Sequence, residues 1–377
     1  MILKNFRKQK IRFFKKIRVF IHSYICIFTK KSLFLYCLLF ISFIESSQID
    51  LLKNSNRSFK EYMGKETNLW QYVQDSDLFT LQFFEDIFSH KLQGLASSDS
   101  NFSIPKVLHI IWIGPKPFPE TSIHNVESWM KRHPGWTYKF WTDRPRVLPH
   151  KAMEFSLIEN LGSFSLQSYF LESNNYGEKS DILRYEILFR EGGIYVDHDV
   201  ECFRSFDPLL QHFDFFCGLE PPHKPIINGS ITVCNNLIGA RPRHPILEKT
   251  KKYVQERWER GKQLFCSPDM PSIISRVAYR TFTSFDLAVK ELLNATGENN
   301  IVFPAAYFNR LGNKYGLYAH HQYATTWFSN ETNFERTLRK RVEYLAKKSN
   351  HLLLIVSVLC ALQFITLGYT IHKHYAQ

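Results

Sequence analysis

Two aspartates, Asp197 and Asp199, stand two positions apart after the apolar triplet Ile194-Tyr195-Val196. On extended backbone, side chains at positions i and i+2 point to the same side, so both carboxylates can approach one divalent cation. A cation held in this way can also bind a diphosphate and neutralise the negative charge that develops as the diphosphate leaves. An isolated Asp-x-Asp is also common in solvated turns, so the surrounding elements must decide between the two interpretations.

The residues before the aspartates predict a helix, a stop and a strand. Residues 178–191 place an apolar face at helical spacing, and Gly192-Gly193 follows as a helix terminator. The apolar positions are Ile182, Leu183, Ile187, Leu188 and Phe189. Residues 194–196 have high β-propensity and lead directly into the aspartates. Ligand sites of α/β sheets lie beyond the carboxyl ends of strands, so this position favours a functional role.

A strand, a helix and a second strand are predicted further upstream. Residues 107–113 form an apolar run that ends at Gly114-Pro115, residues 125–132 have helical character, and residues 138–141 read as a strand. This alternation predicts an α/β domain that begins near Pro105.

The run KSDILRYEILFREGGIYVDHDV resembles the DxD-bearing glycosyltransferases of family 32, which share a pattern of the type AD-x-x-R-x-x-x-L-x-x-x-GG-x-Y-x-D-x-D. The resemblance covers roughly residues 105–330 and includes fungal inositol phosphorylceramide and outer-chain mannosyltransferases. It implies a GT-A type, Rossmann-like α/β domain that binds a nucleotide sugar and transfers the sugar with retention. It also implies Mn²⁺ or Mg²⁺ held by Asp199, with Asp197 assisting by direct, water-mediated or ribose contact.

Asp181 and Arg184 match the acidic and basic helix positions of the family pattern. Their i, i+3 spacing places them on one helix face, which would equally suit a surface ion pair. The resemblance implies that both contact hydroxyls of the donor sugar and that Arg184 also stabilises the diphosphate charge in catalysis.

Other segments add candidate substrate-binding residues. The run IPKVLHIIWIG resembles the family's first strand and is closest to glucosylating bacterial toxins, which implies that Trp112 stacks on the nucleotide base. The run CNNLIGARPRHPILEK implies that Asn235 holds the donor or a metal-bound water, although an Asn in a turn is more often a backbone cap. Trp129, Trp141 and Asp143 match a further segment, and both tryptophans are predicted to lie in the core.

The runs IVFPAAYFN and HHQYATTW resemble the closing part of the family domain, where a His and a Trp approach the diphosphate. His321 and Trp327 are the matching positions. The chain departs from the family here, because Thr325-Thr326 stands where Gly-Ser or Ser-Ser is common. Three other histidines are predicted to be structural: His109, His198 and His320.

The formal charge of +13 is concentrated at one end of the chain. Residues 1–31 hold ten Lys or Arg and no acid, and the remainder has 38 basic against 35 acidic residues. A basic block beside an apolar run is typical of membrane orientation, so nucleic-acid binding is not expected.

Two apolar segments are membrane candidates. Residues 352–371 are twenty residues without a charge and predict a transmembrane helix, while the thirteen residues 32–44 suit a signal-peptide core or a short anchor. The predicted organisation is a basic segment 1–31, the segment 32–44, a stem 45–104, a catalytic domain 105–330, a basic linker 331–351 and the helix 352–371. The basic N-terminus and the basic linker favour opposite orientations of the domain, which leaves the side of the membrane open.

The cysteines of the body do not predict a metal site. Cys202, Cys217, Cys234 and Cys266 show no CxxC or zinc-like spacing, so buried free thiols are the default expectation.

The cues for the donor point in two directions. The Trp-Ile-Gly ending favours a UDP-hexose, whereas the downstream turn and the membrane layout favour GDP-mannose and a lipid or glycan acceptor, with a sphingolipid head group preferred. This predicts a membrane enzyme of the Golgi or endoplasmic reticulum in a eukaryote, or of the inner membrane in a bacterium. The resemblance also implies a small regulatory membrane subunit. The alternatives are a UDP-sugar transferase acting on protein or glycan, an inactive membrane scaffold, and a secreted effector.

Overall fold

The computed structural model describes residues 57–94, 103–224, 229–264, 276–295, 297–312, 314–324 and 326. Within these ranges, no helix combines the length and the apolar character needed to cross a bilayer. The segments 32–44 and 352–371, which carry the membrane predictions, lie outside the described residues, as does Trp327.

The described elements belong to a compact unit that ends at Tyr323. Its helices are α1 (Phe59–Tyr62), α2 (Leu78–Gln93), α3 (Ile123–Arg132), α4 (Gln167–Glu172), α5 (Tyr176–Glu191), α6 (Asp207–His212), α7 (Pro245–Leu264) and α8 (Thr283–Leu292), with a π-helical turn at Ala278–Phe282. Its strands are β1 (Val107–Ile111), β2 (Thr137–Thr142), β3 (Glu154–Leu157), β4 (Gly193–Val196), β5 (Val200–Cys202), β6 (Phe215–Leu219), β7 (Val233–Ala240), β8 (Asn300–Phe303) and β9 (Ala319–His321).

Seven strands form a mixed sheet in the order β3-β2-β1-β4-β7-β6-β8. Strands β3, β2, β1 and β4 are mutually parallel, β7 is antiparallel to both β4 and β6, and β8 is parallel to β6. The predicted α/β class is therefore confirmed. Strands β5 and β9 pair with each other in a separate two-stranded sheet.

The helix, stop and strand predicted around residues 178–196 form as α5, Gly192-Gly193 and β4. The Asn175 side chain accepts a hydrogen bond from Glu178 N and caps the helix N-terminus. Every residue from 181 to 188 is buried, so α5 is covered beyond the single apolar face that the periodicity predicts. This wider burial also takes Asp181 and Arg184 out of water, which rules out a surface ion pair.

The double glycine is required by close backbone contacts. Gly192 and Gly193 have φ values of +67° and +97°, in the left-handed region that favours glycine. A Cβ on Gly192 would lie 2.6 Å from Pro242 Cδ, and one on Gly193 would lie 2.5 Å from Val107 O. The two glycines thus let the chain turn tightly from α5 into the central strand.

The predicted core tryptophans are both buried. Trp129 donates from Nε1 to Val200 O at 2.9 Å, and Trp141 donates from Nε1 to His109 Nδ1 at 3.1 Å. Cys202, Cys217 and Cys234 are buried free thiols, as expected, and Cys266 lies outside the described residues.

The described part of the N-terminal lead-in packs on the same core as the sheet. Met63 and Leu81 are fully buried, and the ring of Phe88 packs edge-on against Phe303 of β8. Asp77, which is 4% exposed, accepts hydrogen bonds from Ser230 N and Ser230 Oγ just before β7. Residues 57–94 therefore contribute to one hydrophobic core with the sheet.

Candidate active site

The two aspartates lie at the carboxyl end of β4, near the centre of the sheet. Asp197 N donates to Asn236 O of β7, and the following turn is held by α3, because Asn125 Nδ2 donates to His198 O and Trp129 Nε1 donates to Val200 O. His198 lies between the aspartates, and its Nδ1 is 2.8 Å from Ser122 Oγ. The backbone of the Asp-His-Asp segment is thus fixed from both neighbouring elements.

A third ligand candidate reaches the aspartates from β9. Val200 of β5 pairs with His321, which places His321 Nε2 3.4 Å from Asp199 Oδ1 and 4.0 Å from Asp197 Oδ2. One ligand atom of each residue lies within 4.8 Å of the other two. Burial disfavours the imidazolium, but the carboxylates of Asp199 and Asp197 outweigh it and raise the pKa of His321.

These three side chains fit a divalent cation. Two carboxylates and one imidazole suit Mn²⁺, and the carboxylates also suit Mg²⁺. Asp199 is 5% exposed, so its carboxylate has little water around it, and a bound cation would add positive charge to that which Arg184 supplies beside Asp197. We therefore assign Asp197, Asp199 and His321 as the candidate metal ligands.

Arg184 lies behind Asp197 and is 5% exposed. Its Nη2 is 2.9 Å from Asp181 Oδ1 and 3.4 Å from Asp197 Oδ1, while its Nη1 donates to Asn235 O at 2.6 Å. The guanidinium carbon also lies 4.3 Å from the centre of the Tyr195 ring. Arg184 therefore orients Asp197 from within the protein, and a direct contact with the donor stays a prediction.

The two carboxylate oxygens of Asp197 have different neighbours. Oδ1 accepts a hydrogen bond from Tyr195 Oη at 2.6 Å and faces Arg184, whereas Oδ2 faces His321. Fixing one oxygen in this way presents the other in a defined direction.

Asp181 and Asn235 form a buried pair beside Arg184. Asp181 is 2% exposed; its Oδ1 accepts from Asn235 Nδ2 at 3.0 Å, and its Oδ2 accepts from Thr281 Oγ1 at 2.6 Å. Burial, opposed by Arg184, raises the pKa of Asp181 to about 6. Asn235 lies within β7 and not in a turn, so the backbone-cap alternative is wrong. Contact of Asp181 and Asn235 with the donor remains a prediction.

Trp112 directly follows β1 and is 9% exposed. Its Nε1 donates to Lys116 O at 2.9 Å, and its ring meets the His198 ring edge-on at 4.9 Å. This contact brings Trp112 to the Asp-His-Asp segment, and stacking on a nucleotide base stays a prediction. Asp143 supports the adjoining loop by accepting from Gly114 N at 3.1 Å.

The three histidines predicted to be structural all make internal contacts. His109 is fully buried between Gly192 O and the Trp141 ring nitrogen. The His198 ring packs against Trp112, and the His320 ring packs against Tyr315 at 4.8 Å.

Sequence reasoning missed the groups that hold the site residues in place. The sequence predicts Tyr195 only as a strand residue, although a Tyr at this place in the family pattern could indicate its link to Asp197. Thr281 and Tyr185 contact Asp181 and Asn235, respectively, and Thr281 comes from 100 residues away in sequence. Tyr185 lies within the quoted family run but at a position that the pattern leaves variable, and Thr281 belongs to none of the quoted segments.

Comparison with known proteins agrees with this geometry. Residues 119–216 match the family described as a glycosyltransferase sugar-binding region containing a DXD motif. Residues 119–216 therefore form a DXD-type glycosyltransferase sugar-binding region. The resemblance drawn from the sequence is thus confirmed.

Curated relatives of this glycosyltransferase domain come from yeasts and a bacterium. Inositol phosphoceramide mannosyltransferase 3 of Schizosaccharomyces pombe is 30% identical over 43% of this chain and 39% of its own length. A mannosyl phosphorylinositol ceramide synthase of Saccharomyces cerevisiae is 26% identical over 63% and 57%, respectively. Subversion of eukaryotic traffic protein A of Legionella pneumophila is 28% identical over 45% and 28%. The chain thus spans between about a quarter and three-fifths of the length of these relatives.

Proposed function

We propose that the chain transfers a hexose from a nucleotide sugar to a hydroxyl of a lipid or glycan acceptor, with retention of configuration. The cluster of Asp197, Asp199 and His321 at the end of the central strand carries the proposal, since it offers one nitrogen and several oxygen ligands around one point. Mn²⁺ or Mg²⁺ bound there would supply positive charge to the leaving diphosphate.

The protein's own groups prepare this site before a substrate arrives. Tyr195 and Arg184 orient Asp197, and the pairing of β5 with β9 sets His321 against Asp199. Such prearranged charges need little reorganisation during the reaction, which is the main source of barrier reduction in sites of this type. The same arrangement supports a same-face transfer, for which no protein nucleophile is required.

Mannose is the sugar that we favour, and a sphingolipid head group is the favoured acceptor. The support comes from two relatives whose names specify inositol phosphoceramide mannosyltransferase and mannosyl phosphorylinositol ceramide synthase. The apolar segment 352–371 supports membrane anchoring, which would bring the domain to a lipid acceptor. A UDP-hexose remains the second donor to test, because of the Trp-Ile-Gly ending at residues 112–114.

The decisive experiment measures donor turnover by the purified full-length chain. UDP-glucose, UDP-galactose, UDP-N-acetylglucosamine and GDP-mannose are each incubated with Mn²⁺, with Mg²⁺ or with a chelator, with and without inositol phosphoceramide. We expect metal-dependent hydrolysis of GDP-mannose and faster consumption with the lipid. Turnover of a UDP-sugar alone would keep the activity and overturn mannose. A folded chain that neither turns over a donor nor binds Mn²⁺ would overturn the proposal.

A further inference from the structure

We infer that Thr281 is a positioning residue for the candidate site, acting through Asp181 on Arg184 and Asp197. The inference rests on the proposed function, because it concerns the same site. Thr281 is fully buried, and its hydroxyl lies 2.6 Å from Asp181 Oδ2 and 2.9 Å from Val277 O. The carboxylate is the nearer and the charged acceptor, so the hydroxyl donates its one proton to Asp181. A hydrogen bond to a buried carboxylate is among the stronger ones in proteins.

The contacts run in one chain from Thr281 to the candidate ligands. Asp181 Oδ2 receives the hydroxyl of Thr281, and Asp181 Oδ1 lies 2.9 Å from Arg184 Nη2. The same Nη2 lies 3.4 Å from Asp197 Oδ1, so Arg184 is shared between the two aspartates. If Asp181 loses its hydroxyl donor, its carboxylate must draw more strongly on Arg184, at the expense of Asp197.

The element that carries Thr281 is shaped to make this contact. Thr281 belongs to the π-helical turn Ala278–Phe282, and wide turns of this kind occur often at functional sites. Two consecutive residues of the turn reach α5, because Arg280 Nη1 lies 3.7 Å from Glu178 Oε1 while Thr281 contacts Asp181. Glu178 and Asp181 stand three residues apart on α5, so the turn docks along one face of that helix.

A second contact fixes the same turn from the Asn235 side. Tyr185 Oη lies 3.4 Å from Thr281 O and accepts a hydrogen bond from Asn235 Nδ2 at 3.0 Å. Asn235 in turn donates to Asp181 and accepts from Arg184 through its carbonyl. These contacts fix the backbone of Thr281, so a change in its side chain would alter the hydrogen bond to Asp181 directly.

The test compares Thr281→Val, Thr281→Ser and a matched control, Thr250→Val, in the full chain. Valine has the shape of threonine without the hydroxyl, and serine keeps the hydroxyl. Thr250 is also fully buried, but it donates to Ile246 O of its own helix α7, so Thr250→Val reproduces the loss of a buried hydroxyl away from the site. Mn²⁺ binding is measured by electron paramagnetic resonance of the free ion, with and without UDP or GDP, alongside thermal unfolding.

We expect Thr281→Val to weaken Mn²⁺ binding about threefold, less than the roughly tenfold loss for a group that contacts a metal ligand directly, because Asp181 and Arg184 lie between Thr281 and Asp197. Thr281→Ser and Thr250→Val should bind Mn²⁺ like the wild type, even where Thr250→Val lowers the melting temperature as much as Thr281→Val. Unchanged Mn²⁺ affinity in Thr281→Val, or an equal loss in Thr250→Val, would overturn this inference and leave the proposed function standing. Absence of Mn²⁺ binding and donor turnover in the wild type would overturn the proposed function itself, and this inference with it.

Discussion

At the scale of single residues, the buried carboxylate of Asp199 is the metal-ligand candidate whose loss should reduce activity most. Asp199 Oδ1 lies 3.4 Å from His321 Nε2, and the residue is 5% exposed. Few water molecules can therefore take over the role of the carboxylate if its charge is removed. We expect Asp199→Asn to lower donor turnover by at least about 100-fold, since one of the groups that hold the cation is lost. The measurement is steady-state donor hydrolysis at saturating Mn²⁺, with circular dichroism to show that the fold is kept.

Glu201, two residues after Asp199 and within β5, provides a control for this change. Glu201→Gln removes the same charge from a carboxylate that pairs with His124, whose side chain is 71% exposed. Pairs of this exposed kind contribute little, so turnover should stay near the wild-type value. If Asp199→Asn keeps wild-type turnover, Asp199 is not a metal ligand.

The two adjacent histidines of β9 provide a sharper comparison. His321 faces the aspartates, whereas the ring of His320 packs on Tyr315. We expect His321→Gln to weaken Mn²⁺ binding about tenfold or more, because the imidazole ligand is lost, and His320→Gln to leave it unchanged. Calorimetric Mn²⁺ titration of both variants checks this, and an equal loss in both would show that β9 acts only as a support.

At the scale of elements, local pattern was enough to predict the segment that carries the aspartates. The helix, double glycine and strand over residues 178–196 are specified by neighbours in sequence, so they could be read from periodicity and turn chemistry. The observed bounds of α5 and β4 differ from the predicted ones by one or two residues.

What local pattern could not supply is the set of long-range contacts around those elements. The role of α2 in the core depends on its contact with β8, which lies more than 200 residues away. Thr281 reaches Asp181 through a π-helical turn, for which sequence offers no periodic signal. The burial of Arg184 likewise follows from the packing of β7 and the π-helical turn against α5, which hydrophobic spacing within one helix does not reveal.

The turn from α5 into β4 yields a prediction at this scale. Gly193→Ala places a Cβ 2.5 Å from Val107 O at a φ of +97°, so it combines a clash with backbone strain. We expect it to lower the free energy of unfolding by about 3 kcal/mol or more and to weaken Mn²⁺ binding, because β4 must shift with its aspartates. Urea unfolding and Mn²⁺ titration measure the two effects.

Gly135→Ala separates strain from clash. Gly135 has a φ of +86°, and no described atom lies within 4 Å of the position that a Cβ would take. The free energy of unfolding of Gly135→Ala should fall only by the cost of a left-handed backbone for alanine, about 1–2 kcal/mol, and Mn²⁺ binding should stay normal. Equal losses for the two variants would mean that the contact with Val107 is relieved at no cost.

At the scale of the whole molecule, three buried histidines tie the stability of the fold to pH. Each uses one ring nitrogen to accept from an N–H group: His109 from Trp141 Nε1, His133 from Phe206 N and His244 from Ile246 N. A proton on that nitrogen would place two donors face to face. Burial accordingly lowers the pKa of each histidine to about 4.

The direction of the pH effect follows from these values. Between the ordinary pKa of histidine, near 6.5, and the folded value of about 4, the unfolded chain binds protons that the folded chain does not. The stabilisation is therefore complete above pH 6.5 and is lost as the pH falls towards 4. For His109 and His133 the loss between pH 7 and pH 5 is roughly 2 kcal/mol each, and His244 contributes in the same direction, which we expect to see as a falling urea midpoint.

A variant at one of these positions tests the cause of that loss. His109→Gln keeps an amide donor for Gly192 O but cannot be protonated. It should be less stable than the wild type at pH 7, yet its free energy of unfolding should fall less steeply from pH 7 to pH 5, by about 2 kcal/mol. Parallel profiles for the wild type and His109→Gln would show that acid unfolding starts elsewhere. A shallower profile would show that protonation of His109 Nδ1, which accepts the hydrogen bond from Trp141, contributes to acid unfolding. Since His109 pairs with Tyr195 of β4, this protonation would also limit the pH range in which the aspartates are held in place.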